Sequence, residues 1–256
     1  MIGKNTASES TQAIRLSPTV RLYLEDDYCF EADANSVAVR DDSIAFDQTC
    51  FYPGGGGQPP DEGSILFDSG AVHDVVSARS DTGGVIWHTC KPSVPLEILE
   101  HPVRLTLNKD RRLTLMRYHT VLHVLNTIVL KDHDGWITGV QMAVDYSRID
   151  FKIDGFSAEM RSEMEADVNI ILQGNHLLKS YYLSEEEFRK RDDLLRTMEA
   201  RPPILNGQVR IVEIQGFDAQ ACGGTHVRNT SEVGRFSIFR TENKGKNNKR
   251  LYVRLE

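Results

Sequence analysis

The sequence predicts an α+β protein in which a small N-terminal β-barrel precedes a domain that mixes sheet and helix. Residues 19–100 contain short strand-like runs separated by turns and show no helical period. From Asn108 onward, apolar residues recur at three- and four-residue spacing, as in an amphipathic helix. Residues 209–255 then return to strand-like runs.

The barrel domain is predicted over residues 19–100, and residues 1–18 are expected to be a disordered N-terminal segment. Turn signals such as Asp81-Thr82-Gly83-Gly84 separate short strands, which is typical of a small barrel or sandwich. The prolines at 92, 95 and 102 indicate a connector and place the domain boundary at residue 100. The strands are predicted at 19–23, 37–40, 43–46, 63–67, 72–76 and 85–88.

The second domain, residues 101–256, is predicted to begin with a long helix whose N-cap is Asn108. A second helix is expected from Ser157 to Leu172, and Ser184-Glu185-Glu186-Glu187 fits a capping box that opens a third helix to about Ala200. Strands are predicted around these helices at 139–144, 148–153, 209–214, 234–240 and 250–255.

Composition excludes several classes of protein. The 256 residues are 40% hydrophobic and 26% charged, which suits an ordinary globular core. No apolar run approaches the roughly 20 residues of a membrane helix, and the N-terminus is polar, so a cytoplasmic location is expected. The four cysteines show no C-x-x-C pair, which favours reduced thiols. A net charge of -7 argues against general nucleic-acid affinity but leaves room for one basic face.

Four residues form a candidate metal site. His119 and His123 are four apart on the predicted helix and therefore share one face. Cys222 and His226 bracket Gly223-Gly224-Thr225, where glycines permit a tight turn. One thiolate with three imidazoles favours zinc over magnesium or calcium. Four protein ligands are typical of a structural zinc, whereas a catalytic zinc keeps one position open, and spacing alone leaves both interpretations standing.

Three ordered motifs resemble one family. The segments 110–123 and 220–227 resemble the two metal motifs of the alanyl-tRNA synthetase editing domain, and 47–63 resembles the glycine-rich motif that precedes it. Because 256 residues leave no room for an aminoacylation domain, the chain resembles the freestanding AlaX-type trans-editing proteins of medium length. This resemblance implies zinc-dependent hydrolysis of mischarged tRNA(Ala), chiefly seryl-tRNA(Ala) and in some members glycyl-tRNA(Ala).

The resemblance and the neighbours of individual residues together suggest further roles. Gln141 matches a glutamine of the editing pocket, and Thr120 stands beside a ligand, so both are expected to be catalytic. Thr120 and Thr225 either discriminate the serine hydroxyl or cap local backbone. The glycine run is either a mobile hairpin loop or a bare backbone surface for the tRNA end. The residues expected to contact substrate or tRNA are Gly54, Gly55, Gly56, Gly57, Gln58, Arg111, Arg112, Arg117, Lys244, Lys246 and Lys249.

Other functions stay open. The chain could be a zinc-stabilised tRNA-binding module without hydrolysis, a hydrolase of small esters, or a deacylase of seryl-tRNA(Thr), since the threonyl-tRNA synthetase editing domain has a similar motif layout. The ion could activate water or only orient the ester. Pro59-Pro60 and the run of four glycines depart from the synthetase motif, so the preference between serine and glycine is open, as is the oligomeric state.

Overall fold

The computed structural model describes residues 16–95, 101–196 and 202–256. Its α-helices are α1 (Lys109–His133), α2 (Ala158–Gln173) and α3 (Glu185–Phe188), and short 3-10 helices lie at Leu22–Leu24, Asp192–Leu194 and Thr230–Glu232. The strands are β1 (Val20–Arg21), β2 (Glu31–Arg40), β3 (Ser43–Phe46), β4 (Gln48–Thr49), β5 (Gly63–Phe67), β6 (Val72–Ser80), β7 (Ile86–Lys91), β8 (Pro102–Leu107), β9 (Trp136–Gln141), β10 (Ser147–Lys152), β11 (Leu178–Ser184), β12 (Ile204–Leu205), β13 (Gln208–Ile214), β14 (Asp218–Ala221), β15 (Phe236–Asn243) and β16 (Asn248–Leu255).

The predicted barrel is confirmed. Six antiparallel strands close in the order β2-β3-β7-β6-β5-β8. Alternate side chains of each strand point inward, so Ile44, Ile65 and Leu105 are fully buried in one core. Closure pairs both edges of the sheet, which removes the free edge that an open sheet of this size would expose.

The barrel extends past the boundary expected at residue 100. Its sixth strand, β8, pairs with β2 and with β5 and therefore belongs to the barrel rather than to the second domain. Pro102 is tolerated because it is the first residue of the strand, where a missing N–H costs little. Residues 1–15 of the expected disordered segment lie outside the described residues, while Thr19 already bonds to the barrel through the Gly84 carbonyl at 3.2 Å.

Helix α1 follows the barrel directly. The side chain of Asn108 accepts a hydrogen bond from the Arg111 amide, which confirms the predicted N-cap. The helix ends at His133, and its C-cap Asp134 has a left-handed φ of 49°. Its central part, from Leu115 to Val129, is buried on most sides because the helix packs against α2 and against the sheet β15-β16-β10-β9.

The third helix is shorter than predicted. The capping box at Ser184 is present, but α3 ends at Phe188 instead of continuing to about Ala200. Charged side chains follow, including the local ion pair between Arg191 and Asp193, and only Leu194 is buried among the described residues that come next. One apolar anchor does not supply the packed face that a short helix needs. Residues 197–201 lie outside the described part of the chain.

A second sheet and four free cysteines complete the description of the fold. A second sheet has the order β11-β13-β12, with β14 paired to β13. The four cysteines Cys29, Cys50, Cys90 and Cys222 are free thiols. Across the ranges that the structure describes, no helix combines the length and the apolar character needed to cross a membrane.

Candidate metal centre

The two halves of the predicted metal site meet. His119 and His123 project from α1, and Cys222 and His226 come from the loop that follows β14. One ligand atom of each residue lies within 4.8 Å of all the others. The Cys222 Sγ atom is 3.5 Å from His119 Nε2 and 3.4 Å from His226 Nε2. This group could hold a metal ion.

Burial sets the protonation of the four side chains. It lowers the pKa of His119 and of His226 well below the ordinary value and lowers the pKa of His123 to about 3. The three imidazoles are therefore neutral at pH 7 and keep a lone pair for a cation. Burial raises the pKa of the Cys222 thiol to about 11, so it carries a proton until a cation displaces it.

The turn between Cys222 and His226 is held by its glycines and by Arg210. A Cβ atom on Gly224 would lie 2.2 Å from Cε1 of His119, so only glycine fits there. The guanidinium of Arg210 donates to the Gly224 carbonyl at 2.8 Å and to the Cys222 carbonyl at 3.4 Å. Sequence reasoning missed Arg210, because an arginine within a strand gives no signal of what it contacts.

A barrel-side residue also reaches the site. Asp27 precedes β2, and its carboxylate accepts from the His226 amide at 3.1 Å and pairs with Arg210 at 3.2 Å. Burial raises the pKa of Asp27, while the cation of Arg210 opposes that rise. No motif around Asp27 pointed to this contact, which joins residues 199 positions apart.

The glycine motif folds over the metal group. Gly55 and Gln58 exchange backbone hydrogen bonds of 3.0 and 2.9 Å, so the run forms a closed turn. The Tyr52 hydroxyl donates to the Gly55 carbonyl at 3.0 Å, and the Met142 amide donates to the Gly57 carbonyl at 2.9 Å. The turn is therefore bonded both to the loop residue Tyr52 that precedes it and to Met142 at the end of β9.

A cavity of about 530 Å³ lies beside the metal group. Three of the four candidate ligands, His119, His123 and Cys222, line it, and so do the glycines 54–56. Its apolar wall includes Leu122, Val140, Met142 and Ile149. A mostly apolar pocket with a few convergent polar groups is the usual form of a small-ligand site.

Comparisons with known proteins identify the family. Residues 209–252 match the family described as the threonyl and alanyl tRNA synthetase second additional domain. The chain is 35% identical over 241 residues to the alanyl-tRNA editing protein AlaX-M of Methanosarcina acetivorans, which covers 91% of this chain and 98% of the relative. It is 32% identical over 234 residues to AlaX-M of Saccharolobus solfataricus, again covering 91% and 98%.

The chain belongs to the AlaX-M family. It is also 36% identical over 232 residues to the alanine–tRNA ligase of Pyrococcus abyssi, but those residues make up 89% of this chain and 25% of the ligase. The chain thus matches AlaX-M proteins along nearly their whole length and matches only a part of the much longer ligase.

Gln58 of this AlaX-M chain is not on a surface that could meet tRNA. It is 2% exposed, and its amide is bonded to His119 and to Thr225. Thr120 is fully buried too, where its Oγ1 atom is 3.2 Å from His226 Nδ1 and accepts from the Val227 amide at 3.3 Å. Both side chains contact candidate metal ligands and neither lines the cavity.

Gln141 lies on the other face of its strand. Its neighbours Val140 and Met142 line the cavity, whereas Gln141 is exposed and pairs in register with Arg148. Because side chains alternate along a strand, Gln141 faces away from the cavity that its neighbours line. The structure therefore does not bring it to the metal group.

The three expected arginine contacts to tRNA are used within the protein. Arg112 is fully buried, pairs with Asp61 and donates to the Cys50 carbonyl at 2.7 Å. Arg111 pairs with Glu62 at 3.0 Å. Arg117 donates to the Val233 carbonyl at 2.8 Å. Burial excludes Arg112 from contact with a phosphate, which corrects the expectation from sequence.

The lysines lie in or beside the turn between β15 and β16. Lys244 and Lys246 are exposed in that turn. The ammonium of Lys249 lies 4.9 Å from the centre of the Phe156 ring. None of the three lines the cavity described above.

Proposed function

We propose that this chain is a trans-editing deacylase. It hydrolyses the ester of mischarged tRNA(Ala), chiefly seryl-tRNA(Ala) and secondarily glycyl-tRNA(Ala), at a zinc site formed by His119, His123, Cys222 and His226. The observation that carries the proposal is the position of this group at the wall of a cavity that the glycine motif covers. The names of the AlaX-M relatives support the choice of an alanyl-tRNA substrate.

The donor set suits zinc. At ordinary zinc–sulfur and zinc–nitrogen bond lengths, a tetrahedral site separates its sulfur and nitrogen ligands by about 3.6 Å. The separations of 3.5 and 3.4 Å from Cys222 Sγ to His119 and His226 fit this value. When bound, zinc supplies Lewis-acid chemistry to the ester.

The chain's own residues place the ester. Val140 and Met142 form an apolar wall that excludes water from the reacting bond. The glycines at 54–56 offer backbone without side chains, so an aminoacyl group can come close to His119, His123 and Cys222. His226 is not among the lining residues, so substrate meets three of the four ligands and approaches the group from one side.

The body of the tRNA lies outside the cavity in this proposal. Lys244 and Lys246 are exposed and unpaired with any acid among the described ion pairs, so they can contact phosphates. Contacts with phosphates supply affinity but carry no sequence information. Recognition of tRNA(Ala) among other tRNAs must therefore come from other contacts with the acceptor stem.

The test is release of amino acid from seryl-, glycyl- and alanyl-tRNA(Ala), with and without a zinc chelator. The proposal expects rapid release from seryl-tRNA(Ala), slower release from glycyl-tRNA(Ala), and loss of both with chelator. Cys222→Ala should abolish release. Cys29→Ala, which removes another half-buried thiol, is the matched control and should keep it.

Each alternative predicts a different outcome. A zinc-stabilised binding module binds tRNA without releasing amino acid. A hydrolase of small esters releases serine from a seryl adenosine as fast as from seryl-tRNA(Ala). A faster reaction on seryl-tRNA(Thr) than on seryl-tRNA(Ala) would assign the chain to the threonine system, and absence of release from every substrate would defeat the proposal.

A further inference from the structure

Gln58 connects the glycine motif to the metal group. Its Oε1 atom is 2.8 Å from His119 Nδ1 and 3.2 Å from the Thr225 amide, and its Nε2 atom is 2.8 Å from Thr225 Oγ1. We propose that Gln58 is a positioning residue that fixes the tautomer of His119, and that metal binding therefore depends on the barrel-side glycine motif.

The orientation of the Gln58 amide follows from its partners. The backbone N–H of Thr225 can only donate, so the atom that faces it must be the carbonyl oxygen. The amide nitrogen is then left to donate to the Thr225 hydroxyl, which has free acceptor capacity. Flipping the amide would place an NH₂ group against the Thr225 N–H and lose that contact.

This orientation decides the state of His119. A carbonyl oxygen at 2.8 Å from Nδ1 requires that Nδ1 carry the proton and donate. With the proton on Nδ1, the lone pair of the neutral imidazole is on Nε2. Nε2 is the atom that lies 3.5 Å from Cys222 Sγ, within the metal group. Gln58 thus turns the metal-binding nitrogen of His119 toward the other ligands.

His226 offers a contrast. Its Nδ1 atom faces the Thr120 hydroxyl at 3.2 Å, and a hydroxyl can either donate or accept. Thr120 therefore holds the His226 ring in place without deciding its tautomer. At His119 the group that faces Nδ1 is a carbonyl oxygen, which can only accept a hydrogen bond. A hydrogen bond of this kind raises the basicity of the other ring nitrogen, the one that binds the metal.

The contact depends on the docked glycine loop. Gln58 follows Gly57, whose carbonyl accepts from the Met142 amide at 2.9 Å. On the opposite side, Gly224 leaves the space that Gln58 and His119 share, since a Cβ there would lie 2.9 Å from Gln58 Oε1. The loop must lie in this position for His119 to be oriented.

The test compares Gln58→Met, which keeps the side chain's length and removes its carbonyl, with Gln58→Glu, which keeps an acceptor oxygen. Zinc affinity is measured by competition with a chelator. We expect Gln58→Met to weaken zinc binding about 10- to 100-fold and Gln58→Glu to stay within about 3-fold of the parent protein. Gln48→Met, at a half-buried glutamine of the barrel, is the control and should have no effect.

A second readout separates positioning from general damage. Spectra of metal-free protein labelled with ¹⁵N-histidine should show His119 protonated only at Nδ1, and Gln58→Met should show both tautomers. If Gln58→Met lowers the melting temperature, Gln58→Asn, which keeps the amide but cannot reach as far, tests the same contact.

The inference fails if Gln58→Met binds zinc as the parent does, or if His119 keeps the Nδ1–H tautomer without Gln58. The inference about zinc binding does not require the proposed function; only a loss of hydrolysis in Gln58→Met would rest on it. A protein that releases no amino acid but loses zinc affinity in Gln58→Met would defeat the proposed function and leave this inference standing.

Discussion

Arg112 of helix α1 and Asp61 of the glycine motif form an ion pair whose side chains are 0% and 1% exposed. Arg112 also donates to the carbonyls of Cys50 and Asp27, so one guanidinium joins three segments of the barrel side to the helix that carries His119 and His123. Arg112 thereby holds the residues on both sides of the four glycines, Cys50 and Asp61, and Gln58 bonds to His119 of the metal group.

Arg112→Met should lower the free energy of unfolding by about 3–5 kcal/mol, because it leaves the carboxylate of Asp61 buried without a partner. Urea unfolding of the zinc-loaded protein measures the change. Arg104→Met is the control, since Arg104 pairs with Glu31 and Asp33 on the exposed surface. This change should lower the free energy of unfolding much less. Equal losses in the two variants would contradict this account.

Gly57→Ala should reduce kcat/KM for seryl-tRNA(Ala) at least about 10-fold. Gly57 has a φ of +86°, and a Cβ there would lie 2.6 Å from Val140 Cγ1 and 2.9 Å from the Val140 carbonyl, so the loop must move off β9. Gly70, in the turn between β5 and β6, has a φ of +82° with nothing within 4 Å and does not line the cavity, so Gly70→Asn is the control and should keep most activity. The prediction is wrong if both variants behave alike.

Zinc affinity should rise with pH. The pKa of the Cys222 thiol is raised to about 11, so zinc must displace its proton, whereas the imidazoles are already neutral. Between pH 7 and 9 the apparent affinity should therefore increase about tenfold per pH unit, with one proton released per ion. Calorimetry in buffers of different ionisation enthalpy counts that proton. Cys222→Ala should release none, and a pH-independent affinity in the parent protein would refute the prediction.

His88 should make the barrel acid-sensitive. It is fully buried, its Nε2 atom is 2.9 Å from Thr49 Oγ1, and burial lowers its pKa from 6.5 to about 4. The unfolded chain therefore binds the proton first, so stability present above pH 6.5 is lost as the pH falls toward 4. The loss amounts to about 3 kcal/mol at full extent. In zinc-saturated protein, His88→Gln should flatten this part of the stability curve, and an unchanged slope would exclude His88 as the cause.

Lys244→Ala combined with Lys246→Ala should weaken tRNA binding and reduce the slope of log affinity against log salt by about 2. The physical reason is the loss of two phosphate contacts and of the counterions that they release. Binding is measured from 50 to 200 mM salt, with the exposed Lys179→Ala as control. An unchanged salt slope would show that the turn is only a solvated hairpin tip.

The candidate metal ligands could be grouped from sequence because each half of the group is local. A four-residue spacing on a helix places His119 and His123 on one face, and a glycine turn brings Cys222 to His226. The third helix was predicted from its cap, which is also local, but its length depends on packing that the sequence does not display.

The contacts around the ligands could not be found in this way. Gln58 meets Thr225 across 167 positions and Asp27 meets His226 across 199, and only the fold brings such pairs together. Gln141 shows the limit of motif matching, because the face of a strand that meets a cavity depends on its register. Strand β2 begins at Glu31 instead of residue 37 because Ala32 and Ala34 fill the narrow barrel interior despite a weak preference for strands.

The connection between the barrel and helix α1 is short and hydrogen-bonded. Only Asn108 separates β8 from α1, and its amide bonds to the Glu62 carbonyl at 2.7 Å while Leu107 bonds to Phe30 at 2.8 Å. Rotation of the barrel away from α1 would break these hydrogen bonds. A change in the width of the cavity would therefore need movement of the loops that line it, with the barrel and α1 staying together.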